Sequence, residues 1–149
     1  MLEYIKPVDY LPHPPVELID NIEDIPRIRK NMHFDINSKT YASYTTNIDL
    51  ENFYQQYFNY KIACRYQLIN DELPVHIDWG LENQWKYNYL LDPGGENVYT
   101  SFWTSKDTPK LLYKTICESN KWYYLNVSIP HSISKPQSTR FSLVIRSIS

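Results

Sequence analysis

From residue 61 onward the chain is cut into short β-prone runs by turn-forming residues, and no other feature narrows the possible folds as far. The runs are KIACRYQLI (61–69), VHIDW (75–79), KYNYLLD (86–92), NVYTSFW (97–103), LLYKTICE (111–118), KWYYLN (121–126), PHSIS (130–134) and RFSLVIR (140–146). Between them stand Asn70-Asp71, Gly80, Asp92-Pro93-Gly94-Gly95, Asp107-Thr108-Pro109, Ser119-Asn120 and Lys135-Pro136, each suited to a turn or loop. Eight short strands with no long helix among them predict a β-sandwich or barrel. The jelly roll, or double-stranded β-helix, is the eight-stranded architecture of that set.

The first sixty residues have a different texture, with no sheet-like alternation and with Pro7, Pro12, Pro14, Pro15 and Pro26 dividing them into short pieces. Two helices are expected there. One starts at Pro15 and runs through Val-Glu-Leu-Ile-Asp-Asn-Ile; the other is capped by Asp49 and places Leu50, Phe53, Tyr54 and Tyr57 on one face. With 149 residues the chain fits one domain, in which residues 1–60 support a β core at 61–149.

Composition removes several classes of function. A net charge of −2 with scattered Lys and Arg offers no basic stripe for a phosphate backbone, so nucleic acid is not indicated as a partner. Cys64 and Cys117 are too few for a disulfide scaffold and lack metal-type spacing, which predicts buried thiols in a reducing compartment. Charges and prolines interrupt MLEYIKPVDYLPHPP, so neither a signal peptide nor a membrane span is expected, and a cytoplasmic location is the default.

Chemistry concentrates in the β-prone half. His76 and Asp78 are two residues apart in a candidate strand, so an imidazole and a carboxylate project to one side and can share a metal. His131, from a later strand, completes a 2-His-1-carboxylate set, which suits Fe(II) and leaves coordination positions open. Arg140 begins the apolar run Phe-Ser-Leu-Val-Ile, where a guanidinium needs a fixed anion to offset its desolvation, and Ser142 shares its face.

Each residue also has a plainer account: a surface pair for His76 and Asp78, a core histidine for His131, a salt-bridged strand residue for Arg140. Their occurrence together, in this order and in strand contexts, favours the metal site. Arg146 shares the face of Arg140 and competes with it for an anion, at a more frayed position. His13 and His33 lack partners at ligand spacing and are expected to face solvent. The Asp92-Pro-Gly-Gly-Glu stretch lacks a phosphate-loop pattern and is expected to be a hairpin turn, while Trp103 and the Trp122-Tyr123-Tyr124-Leu125 cluster are expected to pack in the core rather than form a substrate platform.

The arrangement His76-Ile-Asp78, then His131, then Arg140-Phe-Ser142, resembles the Fe(II)/2-oxoglutarate-dependent oxygenase superfamily. The segment from Tyr87 to Trp103 also looks like the mid-barrel region of small members from phages and bacteria, and the resemblance covers residues 61–149. It implies that His76, Asp78 and His131 bind iron, that Arg140 and Ser142 bind the distal carboxylate of 2-oxoglutarate, and that Tyr66 contacts the cosubstrate. The implied activity is hydroxylation of an unidentified substrate with O2, releasing succinate and CO2. One departure is the loop Trp-Gly-Leu-Glu-Asn-Gln-Trp after Asp78, which lacks the basic residue often found there. Two other readings stay open: a non-catalytic jelly-roll binding or virion-associated module that keeps a metal site, and a cupin-like metal enzyme that does not use 2-oxoglutarate, against which Arg140-Phe-Ser142 argues.

Overall fold

The computed structural model describes residues 4–25, 42–77 and 85–148. Ten strands run in chain order as β1 (Ile5–Val8), β2 (Ala42–Thr46), β3 (Ile62–Ile69), β4 (Leu73–His76), β5 (Trp85–Asp92), β6 (Thr100–Trp103), β7 (Leu111–Thr115), β8 (Trp122–Asn126), β9 (His131–Ile133) and β10 (Arg140–Ser147). One α-helix, α1 (Ile48–Gln55), and two 3-10 turns at Val16–Leu18 and Ile22–Asp24 complete the described elements. Each of the eight β-prone runs contributes to a strand, the run at 75–79 only through Val75 and His76, since Ile77 lies past the end of β4 and Asp78 and Trp79 lie outside the described residues. Among the described residues no helix is long and apolar enough to cross a membrane.

The strands form two antiparallel sheets, ordered β1-β8-β5-β10-β3-β2 and β4-β9-β6-β7. From β3 to β10 the chain changes sheet at every connection except the β6–β7 hairpin, and this alternation winds it into a double-stranded β-helix. Asp92-Pro-Gly-Gly-Glu therefore is not a hairpin turn. It carries the chain from β5 in one sheet to β6 in the other, and Gly94, at φ 78°, leaves no room for a Cβ, which would lie 2.6 Å from the Ser138 carbonyl oxygen.

Burial separates the two faces of the larger sheet. Its outer face carries Cys64, Tyr66 and Leu68 of β3, Tyr87 and Tyr89 of β5, Trp122 of β8 and Phe141, Leu143 and Ile145 of β10, packed with Leu50 and Tyr54 of α1 and with Leu11 and Ile25. The inner face meets the smaller sheet through Tyr44, Ile69, Leu73, Val98 and Ile133 on one side and Leu90, Cys117, Tyr123, Leu125 and Val127 on the other. Each large side chain fully removed from water contributes about 1.5–3 kcal/mol, so the N-terminal layer is held mainly by Leu50 and Tyr54, both fully buried. Trp122, Tyr123 and Leu125 are core, as expected, whereas Trp103 and Tyr124 are only half-buried and Tyr57 of the expected apolar helix face is exposed.

The N-terminal part departs from expectation in three ways. Residues 5–8 and 42–46 are strands, added at the two edges of the larger sheet beside β8 and β3. Pro7 is tolerated because β1 is an edge strand and need not donate to a second neighbour. The helix expected from Pro15 is instead two separate 3-10 turns, because tertiary partners take its backbone groups: Asn47 Nδ2 donates to the Leu18 carbonyl at 2.9 Å and the Tyr66 hydroxyl accepts from Asp20 N at 2.8 Å. Helix α1 is capped by Asn47 rather than Asp49, its Oδ1 accepting from Leu50 N at 2.9 Å.

Asn47 thus caps α1 and ties it to both the preceding segment and the outer face of β3. Asn47→Ala is expected to lower unfolding stability by about 1–2 kcal/mol with an unchanged denaturant slope. Asn47→Asp should recover only the cap, since it accepts from Leu50 N but cannot donate to Leu18. Urea titrations of the three proteins check both statements.

Candidate functional site

Strand pairing brings two of the sequence-predicted ligands together. His76, the last residue of β4, stands directly opposite His131, the first residue of β9, and opposite residues in an antiparallel pair share a face. Their ring centroids are 4.3 Å apart, and both residues are buried, at 6% and 3% exposure. The two rings are held alike: His76 Nδ1 lies 2.7 Å from the Pro74 carbonyl oxygen and His131 Nδ1 lies 2.7 Å from that of Ile129. A carbonyl only accepts, so each Nδ1 carries the proton and each Nε2 is the basic nitrogen. This is the tautomer that a metal-binding imidazole needs, with the ring direction fixed by the backbone bond.

The surroundings hold the histidine pair in place. Phe102 of β6 is opposite His131 on its other side, with ring centroids 6.2 Å apart, and the Tyr4 ring packs on Phe102 at 5.3 Å. The entry to β9 is pinned by Trp103, whose backbone N–H donates to the Pro130 carbonyl at 2.8 Å and whose indole N–H donates to Ser132 Oγ at 2.8 Å. Asp78, the third expected ligand, lies outside the described residues, as does the loop that follows it. Among the described residues His76 and His131 are not joined by a third Cys, Asp, Glu or His into a metal-sized group.

Arg140 opens β10 opposite Ile69 and is 3% exposed. Its Nη1 donates to the Pro93 carbonyl at a long 3.3 Å, and among the described residues no carboxylate lies within ion-pair distance. Burial draws the guanidinium below its usual pKa, opposed by the nearby Cys117 thiol. An arginine placed so, without a counter-anion, costs several kcal/mol that a bound anion would offset. Ser142, two residues on, faces the same interior and points at Gln67 Oε1 across 3.5 Å, while Gln67 Nε2 donates to the Tyr44 hydroxyl at 2.7 Å.

Tyr66 is not brought to this side. It is on the outer face of β3, against Phe141 at 5.2 Å between ring centroids, with its hydroxyl bonded to Asp20 N and Asn47 Nδ2. Gln67 is the β3 side chain that faces Ser142. Sequence reading missed Gln67 and Tyr44 because both faces of β3 are buried, so the strand lacks the apolar–polar alternation that would have told one face from the other. His13 is exposed, as expected, although its Nδ1 lies 2.7 Å from the Tyr89 hydroxyl, and His33 falls outside the described residues. Both cysteines are buried free thiols; burial pushes Cys64 up to about 12 and raises Cys117 as well, which makes them poor nucleophiles.

No protein-family model and no curated protein sequence matches the chain. Solved structures do resemble it. HppE in its Fe(II) form with substrate aligns with a TM-score of 0.50 at 10% identity, over 86% of this chain and 59% of that one. An oxidoreductase of the 2OG-Fe(II) oxygenase family from Burkholderia pseudomallei aligns with a TM-score of 0.43 at 12% identity, over 70% of this chain and 45% of that one. Vicilin from hazelnut, Corylus avellana, aligns with a TM-score of 0.48 at 7% identity, over 77% of this chain and 31% of that one. The chain thus spans under two thirds of each neighbour's length, and at 10% identity the likeness to HppE is one of fold alone.

If the paired Nε2 atoms bind a divalent metal, Mn(II) or Co(II) should raise the melting temperature of the protein, and His76→Ala or His131→Ala alone should abolish most of that rise. At a metal concentration about a hundred times the dissociation constant the expected stabilisation is ~2.7 kcal/mol. Thermal scans with and without metal, on the three proteins side by side, make the measurement.

Proposed function

We propose that the interior between the two sheets is the active site of an Fe(II)- and 2-oxoglutarate-dependent dioxygenase. The observation that carries this reading is the facing pair His76 and His131, each with Nδ1 bonded to a backbone carbonyl and Nε2 left as the basic nitrogen. These two nitrogens and the Asp78 carboxylate would hold the iron, in a donor set that fits Fe(II) and leaves room for a chelating cosubstrate and O2. Bound iron and 2-oxoglutarate together would supply O2 activation, with succinate and CO2 released and the substrate hydroxylated.

The chain's own contribution is placement. Arg140 would pair its planar guanidinium with the distal carboxylate of 2-oxoglutarate, and Ser142 would add a hydroxyl donor from the same face. A carboxylate at that point would offset the desolvation of Arg140, which among the described residues has a single long bond to the Pro93 carbonyl. The apolar residues lining the two sheets would exclude water around this pair, which strengthens it. Arg140 is also what separates this reading from a cupin-like metal enzyme that dispenses with 2-oxoglutarate.

Calorimetry under anaerobic conditions, with Mn(II) in place of iron, tests the assignment without turnover. Wild type should bind Mn(II) and then 2-oxoglutarate. Asp78→Ala should lose tight metal binding. Arg140→Ala should keep its metal affinity while 2-oxoglutarate weakens about a hundredfold, ~3 kcal/mol, and Arg140→Lys should recover only part because an ammonium lacks the two-donor fork. Wild type that binds the metal but not millimolar 2-oxoglutarate would overturn the proposal.

A further inference from the structure

The inner face of the larger sheet carries a second polar group that neither the metal nor 2-oxoglutarate uses. Asn88, in the middle of β5, is opposite Val144 of β10 on one side and Tyr123 of β8 on the other. It is 8% exposed, and among the described residues its buried Oδ1 has no hydrogen-bond partner. Arg65 of β3 faces the same Val144 from the opposite flank. Arg65 and Asn88 thus stand two strands apart, about 10 Å between backbones, across a small apolar side chain.

Strand order places this pair relative to the histidines. The segment 93–99 joins β5 to β6, so both strands meet that end of the barrel, where Arg140 bonds the Pro93 carbonyl. Leading away from it, β6 runs from Thr100, opposite Ile133, to Phe102, opposite His131. On the other sheet, β5 recedes from the same end through Leu90, opposite Ser142, to Asn88. His131 is therefore one inward step along β6 from that end, and the Arg65–Asn88 row is two inward steps along β10 from Arg140. Arg146 is the next inward residue of β10, and Lys86 the next of β5. Among the described residues no inward strand position carries a carboxylate except exposed Asp92 at the end of β5, whose Oδ1 accepts from Gly94 N.

We infer that the substrate of this site is a small organic acid, whose anionic head pairs with Arg65 and whose adjacent N–H or O–H donates to Asn88 Oδ1. The inference rests on the oxygenase reading for the reaction that follows binding, and it deepens that reading by naming the substrate class. The acid head would be a carboxylate or a phosphonate, since Arg65 can bond either with two donors. Asn88 would supply the second point of recognition. Its lone acceptor is costly when empty and satisfied when a donor is bound, which discriminates against analogues without one.

Three probes share one shape: N-acetylglycine, N-acetylaminomethylphosphonate and the uncharged N-acetylglycinamide. Titrated by calorimetry into the full chain loaded with Mn(II) and 2-oxoglutarate without O2, one or both acids should bind at least roughly tenfold more tightly than the amide. Arg65→Ala should remove that preference while Mn(II) and 2-oxoglutarate affinities stay as in wild type, and Arg65→Lys should restore part of it. Asn88→Leu should weaken every probe yet raise the melting temperature, because it replaces an unsatisfied buried amide by an apolar group of similar size. Failure of both acids to bind at millimolar concentration, equal binding of acid and amide, or an acid preference that survives Arg65→Ala would overturn the inference. The same titrations into protein without metal or cosubstrate separate the two claims: Arg65-dependent acid binding in a protein that never binds 2-oxoglutarate would retain the acid site and remove the oxygenase.

Discussion

The insertion of β10 between β3 and β5 is the constraint on which the rest of the structure depends. This strand is hydrogen-bonded to β3 along its full length, from Arg140 opposite Ile69 to Ser147 opposite Ile62, and to β5 from Phe141 to Ile145. It is the last of the described strands in chain order and sits inside the larger sheet, so that sheet is complete only when this segment has found its place. Such long-range pairing is slow to form but highly specific, because a slip of one residue would exchange every side chain between the two faces. Here the faces are as unlike as a strand allows. Phe141, Leu143 and Ile145 enter the apolar layer under α1, while Arg140, Ser142, Val144 and Arg146 turn toward the space between the sheets.

That difference explains how a chain of this size keeps so polar an interior. The outer layer, built from tyrosines, Trp122 and aliphatic residues against α1, supplies apolar burial on the side of the sheet away from the site. The inner face can then carry Gln67, Asn88, Arg140 and Ser142 opposite His76 and His131, groups that would be poor choices for stability alone. Some are satisfied within the protein, as Gln67 is by Tyr44 and the two Nδ1 atoms are by carbonyls. Others, Arg140 and Asn88 above all, are held among the described residues with less than they can bond, which is what the proposed ligands would use.

The N-terminal segment has a structural part in this arrangement. Tyr66 illustrates it: its hydroxyl, bonded to Asp20 N and Asn47 Nδ2, anchors the segment and helix α1 to the outer face of β3. Its neighbour Gln67 points the other way. Adjacent residues of one strand thus serve the supporting layer and the interior, and both must be buried for the sheet to lie between them.

The sequence by itself determined the β runs, their punctuation and the shared face of residues two apart, because these are local consequences of backbone geometry and of where glycine, proline and asparagine interrupt it. On that basis the eight strands of the core, the common orientation of Arg140 with Ser142, and His76 and His131 as candidate ligands were legible before any coordinates. Only the tertiary structure decided which partner each strand takes. It set His131 opposite His76, turned residues 5–8 and 42–46 into edge strands despite Pro7, gave the cap of α1 to Asn47, and sent Tyr66 outward and Gln67 inward. The physical reason is that both faces of the larger sheet are buried. A strand covered on one side announces its inner face through alternation, whereas β3, buried along nearly its whole length, does not, and register between distant segments is fixed only when the two sheets and the N-terminal layer pack at once.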